Sequence, residues 1–337
     1  MNGRVTWLDS ARGAAIVMIV FHHVIILLRP LDLVHWSYVM AQDLLAAFPM
    51  PLFFLVSGML SRRLLEQPWS QLLRHRIGPL LYLYVVWTLI RFAWFAAFPL
   101  STRPHETDVV RLLVSPVWPT SGLWYLHALA AALVVAKLLR GRVPATWQLV
   151  AAAGASVAFF GPVDTGSIGY QGLGHYLVFF LLGAHVGPAL VRAVEASKPL
   201  HAIAAGVVFA ICIDVVRAHG LIWNPVVPLA LSALGVTTGV LILRHVPRLS
   251  SALRVDVLGR ATLVVYVTHF IVLAGITKIL ALVVGQDPSA EERVLVQILA
   301  LPIMVAVAIG ASLGLGLLAR GTPLRSLYQL PRRRVAV

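Results

Sequence analysis

The amino-acid sequence predicts an all-α protein, a polytopic transmembrane bundle of about ten helices with both termini cytoplasmic. Three observations carry this. First, 59% of the 337 residues are hydrophobic and only 12% are charged, with a mean hydropathy of +0.88; a soluble domain carries about 25% charged residues. Second, the apolar residues come in runs of roughly twenty, which cross a hydrocarbon core about 30 Å thick at 1.5 Å per helical residue. Lipid offers no partner to a free backbone N–H or C=O, so such runs must be helices. Third, the basic residues alternate between successive loops, as the positive-inside rule requires.

The predicted spans are 10–29, 40–60, 78–98, 123–138, 147–162, 173–190, 200–216, 225–243, 259–284 and 294–318. Pro and Gly mark many joints between them, including Pro30, Pro68, Pro99, Gly141, Pro144, Pro162, Pro199, Pro247 and Pro288. The spans make one domain, residues 1–337, that ends in a basic cytoplasmic tail over 320–337. The first run carries Arg12, His22 and His23 and lacks a small-x-small cleavage site, so it reads as a span and not as a cleavable signal peptide.

Orientation follows from the loops. One alternate set holds Arg4, Arg62, Arg63, Arg74, Arg76, Lys137, Arg140, Arg142, Arg192, Lys198, Arg244, Arg248, Arg254, Arg320, Arg325 and Arg332 to Arg334, which is 18 of the 27 basic residues. The opposite set holds five: Arg29, Arg103, Arg111, Arg217 and Arg293. Asp32, Glu106, Asp108, Asp164, Asp287, Glu291 and Glu292 fall mainly on that second side. The bias puts both termini on the cytoplasmic side and requires an even number of spans. A formal charge of +14 spread over short loops does not describe a nucleic-acid surface. The single cysteine, Cys212, lies in an apolar run, so neither a disulfide framework nor a thiolate metal cluster is expected.

Titratable groups inside spans are costly and usually face a cavity or a partner. Here they are Arg12, His22, His23, Arg91, His127, His175, His185, Asp214, His269 and Lys278. Many fall in the outer half and together suggest a polar chamber open to the outer leaflet. Plainer explanations compete: an i, i+3 ion pair for Asp214 and Arg217, a snorkelling Lys278, and packing histidines at His175 and His185.

The first span is the most informative. Arg12 and His23 are eleven residues apart, about three whole turns, so they share one helix face with a rise of roughly 16 Å between them. Asp9 lies three residues before Arg12 and can hold it by an ion pair. A boundary arginine and an unrelated buried histidine would give the same spacing. The second loop carries Arg62, Arg63, Arg74 and Arg76. Guanidinium groups bind phosphate in a fork, so this cluster suits a polyphosphate ligand, although the positive-inside rule alone also accounts for it.

Five ordered elements then resemble the acyltransferase 3 family of membrane-bound O-acyltransferases, which includes bacterial sugar O-acetylases. Leu8-Asp9-Ser10-Ala11-Arg12-Gly13 with His23 is similar to the family's Arg-x10-His signature. Phe53-Phe54-Leu55-Val56-Ser57-Gly58 resembles its Phe-Phe-x-x-Ser-Gly element, and Arg74-His75-Arg76-Ile77-Gly78-Pro79 its basic segment. Leu123-Trp124-Tyr125-Leu126 resembles its Leu-Trp-Tyr-Leu element, and Tyr266-Val267-Thr268-His269 its late Tyr-x-x-His element. The Arg-x-x-Arg spacing of some members is replaced here by Arg62-Arg63 and Arg74-x-Arg76.

The resemblance implies transfer of an acyl group, usually acetyl, from cytoplasmic acyl-CoA to a hydroxyl of an envelope carbohydrate or glycolipid, with no metal and no nucleic acid involved. His23 would be the base or a transient acyl carrier, and the sequence does not separate the two. Arg12, steadied by Asp9, would meet the phosphate or pantetheine of acetyl-CoA, and Arg62, Arg63, Arg74 and Arg76 would gather the nucleotide phosphates. Trp124, Tyr125, Tyr266, His269 and Arg91 would line the substrate path, among membrane lipids. The competing class is a secondary transporter or glycan exporter, with Arg91, Asp214 and Lys278 as its polar path, but no internal repeat supports it.

Overall fold

The computed structural model describes residues 6–247, 254–283 and 290–331. Arg4, Arg248, Asp287, Pro288 and Arg332 to Arg334 lie outside the described residues. Within them all regular structure is helical. The principal helices are α1 (Thr6–Leu28), α2 (Trp36–Leu45), α3 (Pro49–Ser61), α4 (Trp69–Ala97), α5 (Val109–Val114), α6 (Trp124–Leu139) and α7 (Ala145–Phe160). They continue with α8 (Ile168–Glu195), α9 (Pro199–Ala218), α10 (Val226–His245), α11 (Val255–Arg260), α12 (Thr262–Val283) and α13 (Ala290–Leu318). Among the described residues seven helices are long and apolar enough to cross a membrane, in α1, α4, α8, α9, α10, α12 and α13. The apolar helices α3, α6 and α7 are shorter, at 13, 16 and 16 residues.

Three expected boundaries differ. The span expected over 40–60 is two helices, α2 and α3. Pro49 and Pro51 stand in the first turn of α3, where a missing N–H costs nothing, and they stop α2 from running through. The span expected over 259–284 begins instead at Thr262, and its first two residues belong to the separate short helix α11, which Ala261 caps. The arginine segment expected as a loop is helical: Arg74, His75 and Arg76 belong to a π-turn, Leu73–Ile77, inside α4. There the Gly78 N–H donates to Leu73 O, five residues back, and Pro79 follows without an N–H of its own.

Two close backbone contacts set the frame of the bundle. A Cβ on Gly58 would collide with Phe180 O, and one on Gly183 with Leu55 O, so α3 and α8 touch backbone to backbone. Likewise a Cβ on Gly259 would meet Asp9 O, and one on Gly13 would meet Val255 O. Small residues are what allow helices to approach this closely in a membrane. The second contact lays α11 along the first turns of α1 and brings the start of α12 beside Arg12. The stretch after α13 also folds back: Trp87 Nε1 donates to Leu327 O at 2.5 Å, and Tyr82 donates to Ser326 O at 3.1 Å.

Candidate active site

Helix α1 has no break between Arg12 and His23, and both side chains meet α12. Arg12 Nη2 donates to Thr262 Oγ1 at 2.9 Å, and its Nη1 stands 3.9 Å from Asp9 Oδ1, at the outer limit of an ion pair. At the other end His23 Nδ1 lies 2.9 Å from Ile19 O and 3.1 Å from His269 Nε2. His269 Nδ1 lies in turn 2.8 Å from Val265 O.

These contacts fix the protons. A carbonyl only accepts, so His269 Nδ1 carries the hydrogen and its Nε2 presents a lone pair. His23 Nδ1 then donates, shared between Ile19 O and His269 Nε2. A neutral His23 consequently has its lone pair on Nε2, which has no hydrogen-bond partner among the described residues. The ring is held by Phe270, edge-on at 5.3 Å, and by His269 at 4.9 Å between ring centres.

From Arg12 to Ile19 one side of α1 forms a wall of a cavity with about 840 Å³ of empty space, its mouth included. Arg76 lines the same cavity, so two guanidinium groups share its polar end with Ser61 and Thr262. The rest of the lining is mainly apolar, from Met50, Phe53, Leu80, Leu126 and Leu129 among others. Arg62, Arg63 and Arg74 are exposed and lie outside this lining. The four arginines of the second loop are therefore not equivalent, and the π-turn of α4 is the element that turns Arg76 to the cavity.

Tyr125 and Tyr266 form the far wall. Tyr125 Oη lies 2.9 Å from Ser57 Oγ and donates to Phe53 O at 3.3 Å. The Tyr266 hydroxyl donates to Gly122 O and accepts from Tyr125 N, both at 3.3 Å, pinning the start of α6 to α12. Trp124 points elsewhere. It stacks with Phe54 and Tyr176 at 24° to each, packing α3, α6 and α8 together.

Arg91 is buried and paired. Its Nε donates to Glu106 Oε2 at 2.7 Å, and its Nη2 makes a second bond to Glu106 Oε1. The guanidinium lies 4.0 Å from the centre of the Phe270 ring, the same ring that braces His23. Burial opposes ionisation of Glu106, and the hydrogen bond and charge of Arg91 more than offset it, so this carboxyl titrates below the ordinary range.

The other titratable groups do not gather into one chamber. His175 stacks flat on Phe160 at 3.8 Å, His127 bonds to Pro116 O, and His185 meets Gln148. Of the titratable groups expected inside spans, His22, His23, His269 and Arg91 converge among the described residues, and Arg103 joins them with its guanidinium 5.8 Å from the centre of the Phe270 ring. Thr262, Phe270 and Glu106 are site residues that sequence reading missed. A buried Arg91 did signal that a carboxylate must lie nearby, but nothing in a threonine or phenylalanine of an apolar run marks it out.

Comparison with known proteins agrees with this picture. A family profile described as an acyltransferase domain matches residues 5–316, nearly the whole chain. Inner membrane protein YcfT of Escherichia coli (strain K12) is 23% identical over 296 residues, which is 80% of this chain and 80% of that protein. No solved structure matches the chain.

Proposed function

The chain belongs to the acyltransferase-domain family, and from that premise we propose that it moves an acyl group, acetyl by preference, from cytoplasmic acyl-CoA to a hydroxyl of an envelope carbohydrate or glycolipid. The multi-pass helical architecture and the membrane relative support a membrane enzyme, and we assign it to a bacterial cytoplasmic membrane with the Arg12 end inside.

One observation carries the reading: an imidazole nitrogen without a hydrogen-bond partner among the described residues stands one turn beyond Ile19, the last α1 residue lining the cavity, and about three turns from the cavity's cationic end. The residues fit a CoA thioester. Arg76 and Arg12 suit its phosphates, and the apolar lining suits an extended arm. Bound there, the thioester supplies an electrophilic acyl carbon and a thiol leaving group.

The acceptor hydroxyl gives its proton to His23 Nε2 as its oxygen bonds to the acyl carbon. As the carbon–sulfur bond breaks, the same nitrogen returns that proton to sulfur. The products are an ester and a free thiol, and His23 ends neutral as it began. His269 and the Ile19 carbonyl keep the Nδ1 proton in place throughout, so Nε2 remains the acceptor. Arg12 anchors the polar end of the cavity through Thr262, and Arg91 holds Phe270 against the imidazole.

The test is mass spectrometry of envelope glycans from cells with and without the gene, alongside CoA release by the purified full-length protein. An acetyl-sized mass difference with acetyl-CoA-dependent CoA release is expected. Identical glycans and no CoA release in the presence of those glycans would overturn the proposal.

A further inference from the structure

Helix α3 has two working faces. Phe53, Ser57 and Ser61 face the arginine cavity, while Leu52, Leu55 and Met59 face a second cavity on the opposite side, enclosed by α1, α3, α8, α9 and α10. This second space holds about 1150 Å³, its mouth included. Leu, Val, Ala and Phe side chains make most of its wall. Its polar groups are few. Thr237 spends its hydroxyl on Ala233 O of its own helix at 2.8 Å. Ser197 and His201 sit together where α8 ends and α9 begins, at one end of the cavity.

Depth and chemistry define an occupant. The lining runs along α3 from Leu52 to Met59, along α10 from Ala233 to Leu241 and along α8 from Phe179 to Val194, roughly 10, 12 and 22 Å of helix. These lengths bracket the depth of one leaflet, half of a hydrocarbon core about 30 Å thick. An unpartnered indole donor lines the polar end, and basic residues stand on the adjoining helix ends, outside the lining itself. Trp7 lines the cavity, is 7% exposed, and its indole N–H has no partner among the described residues. Ser197 Oγ lies 2.9 Å from His245 Nε2, and Lys198 precedes His201 at the start of α9. Arg192 and Arg244 occupy the last turns of α8 and α10, with Glu195 the carboxylate in the same turns.

We propose that this cavity binds one anionic diacyl phospholipid of the leaflet on the Arg12 side. One acyl tail fills the apolar space, an ester carbonyl accepts from the Trp7 indole, and the phosphate lies at the Lys198, Arg192 and Arg244 collar. The tail then braces the back of the helix whose front carries Ser57 and Ser61. The proposal is independent of which group the protein transfers.

The experiment uses the full-length protein in phosphatidylcholine nanodiscs containing a minor fraction of phosphatidylglycerol with a photoactivatable diazirine in one tail. Crosslinks on Met59, Val194 and Thr237 are expected, with labelling by the phosphatidylglycerol probe exceeding that by a phosphatidylcholine probe. Crosslinks confined to the outward residues Ile203 and Val207, or equal labelling by the two probes, would overturn the proposal. In native mass spectrometry Ala233→Trp, which fills the space, should lower phosphatidylglycerol retention by at least about tenfold. Lys198→Ala should lower the preference over phosphatidylcholine while leaving a lipid bound. Equal retention by wild type and Ala233→Trp would likewise sink the idea, and the crosslink positions decide it without any variant.

Discussion

His269 Nε2 lies 3.1 Å from His23 Nδ1, although 246 residues separate them in the chain. Two neutral imidazoles in this arrangement have one consistent proton pattern, and it leaves the lone pair of His23 on Nε2. The nitrogen that keeps the lone pair is thus selected by a contact between the first helix and a late one.

Replacing His23 tests the base directly. His23→Ala should lower acyl transfer by about 10²- to 10⁴-fold, the usual worth of a general base. Helix content by circular dichroism and elution as a single species should stay as in the parent protein. Transfer at near-parental rate would remove His23 from the chemistry.

In the proposed mechanism His269 acts through His23, so its effect should depend on what replaces it. His269→Leu removes the acceptor and should lower kcat at least about tenfold while KM for acetyl-CoA holds. His269→Gln keeps an acceptor oxygen and should recover much of that loss. A packing role alone would leave Leu and Gln equally impaired in the same assay.

The second-loop arginines should separate. Arg76 lines the cavity beside Arg12, whereas Arg74 is exposed. Losing one charge-assisted phosphate contact costs about 1.5–3 kcal/mol. Arg76→Ala should therefore raise KM for acetyl-CoA roughly tenfold or more, with Arg74→Ala close to the parent. Equal effects of the two variants would show that the nucleotide does not reach the cavity end.

The Arg91–Glu106 pair makes stability depend on pH. The Glu106 carboxyl titrates below its ordinary 4.5 in the folded state. A depressed folded pKa contributes stability that is fully present above the unfolded value and is lost as pH falls through the folded one. Hydrogen exchange of residues 98–123 should accordingly quicken as pH drops below about 4.5, once corrected for intrinsic exchange. Glu106→Gln strands a buried guanidinium and should cost about 3–5 kcal/mol, with the exchange of that loop fast already at neutral pH. A loop protected equally in both proteins would show that the ion pair does not hold it.

Much of the bundle was legible from hydropathy, because bilayer thickness dictates run length and lipid forbids open backbone. The break between α2 and α3 was present in the sequence as Pro49 and Pro51 but was masked by apolar residues on both sides. The start of α4 was missed for the opposite reason: Arg74, His75 and Arg76 read as a loop, yet a helix end at a membrane face carries such charges freely. Within the site, the shared face of Arg12 and His23 followed from helical period alone. The His23–His269 contact did not, since no local pattern ties α1 to α12. Nor could spacing show that Arg91 is neutralised by Glu106, or that Trp124 stacks between helices while Tyr125, its neighbour, lines the cavity.

The π-turn in α4 separates where an arginine falls in the chain from the direction in which it points. One additional residue advances a helix by about 100°, and a five-residue backbone ring absorbs that advance before Pro79 restarts the regular winding. Insertion or deletion of a single residue upstream can thus be accommodated by forming or annealing the bulge, leaving the remainder of α4 in register. Basic segments of unequal arginine spacing can then aim a guanidinium at the same target, and counting residues between arginines becomes a poor guide to which of them touches a ligand.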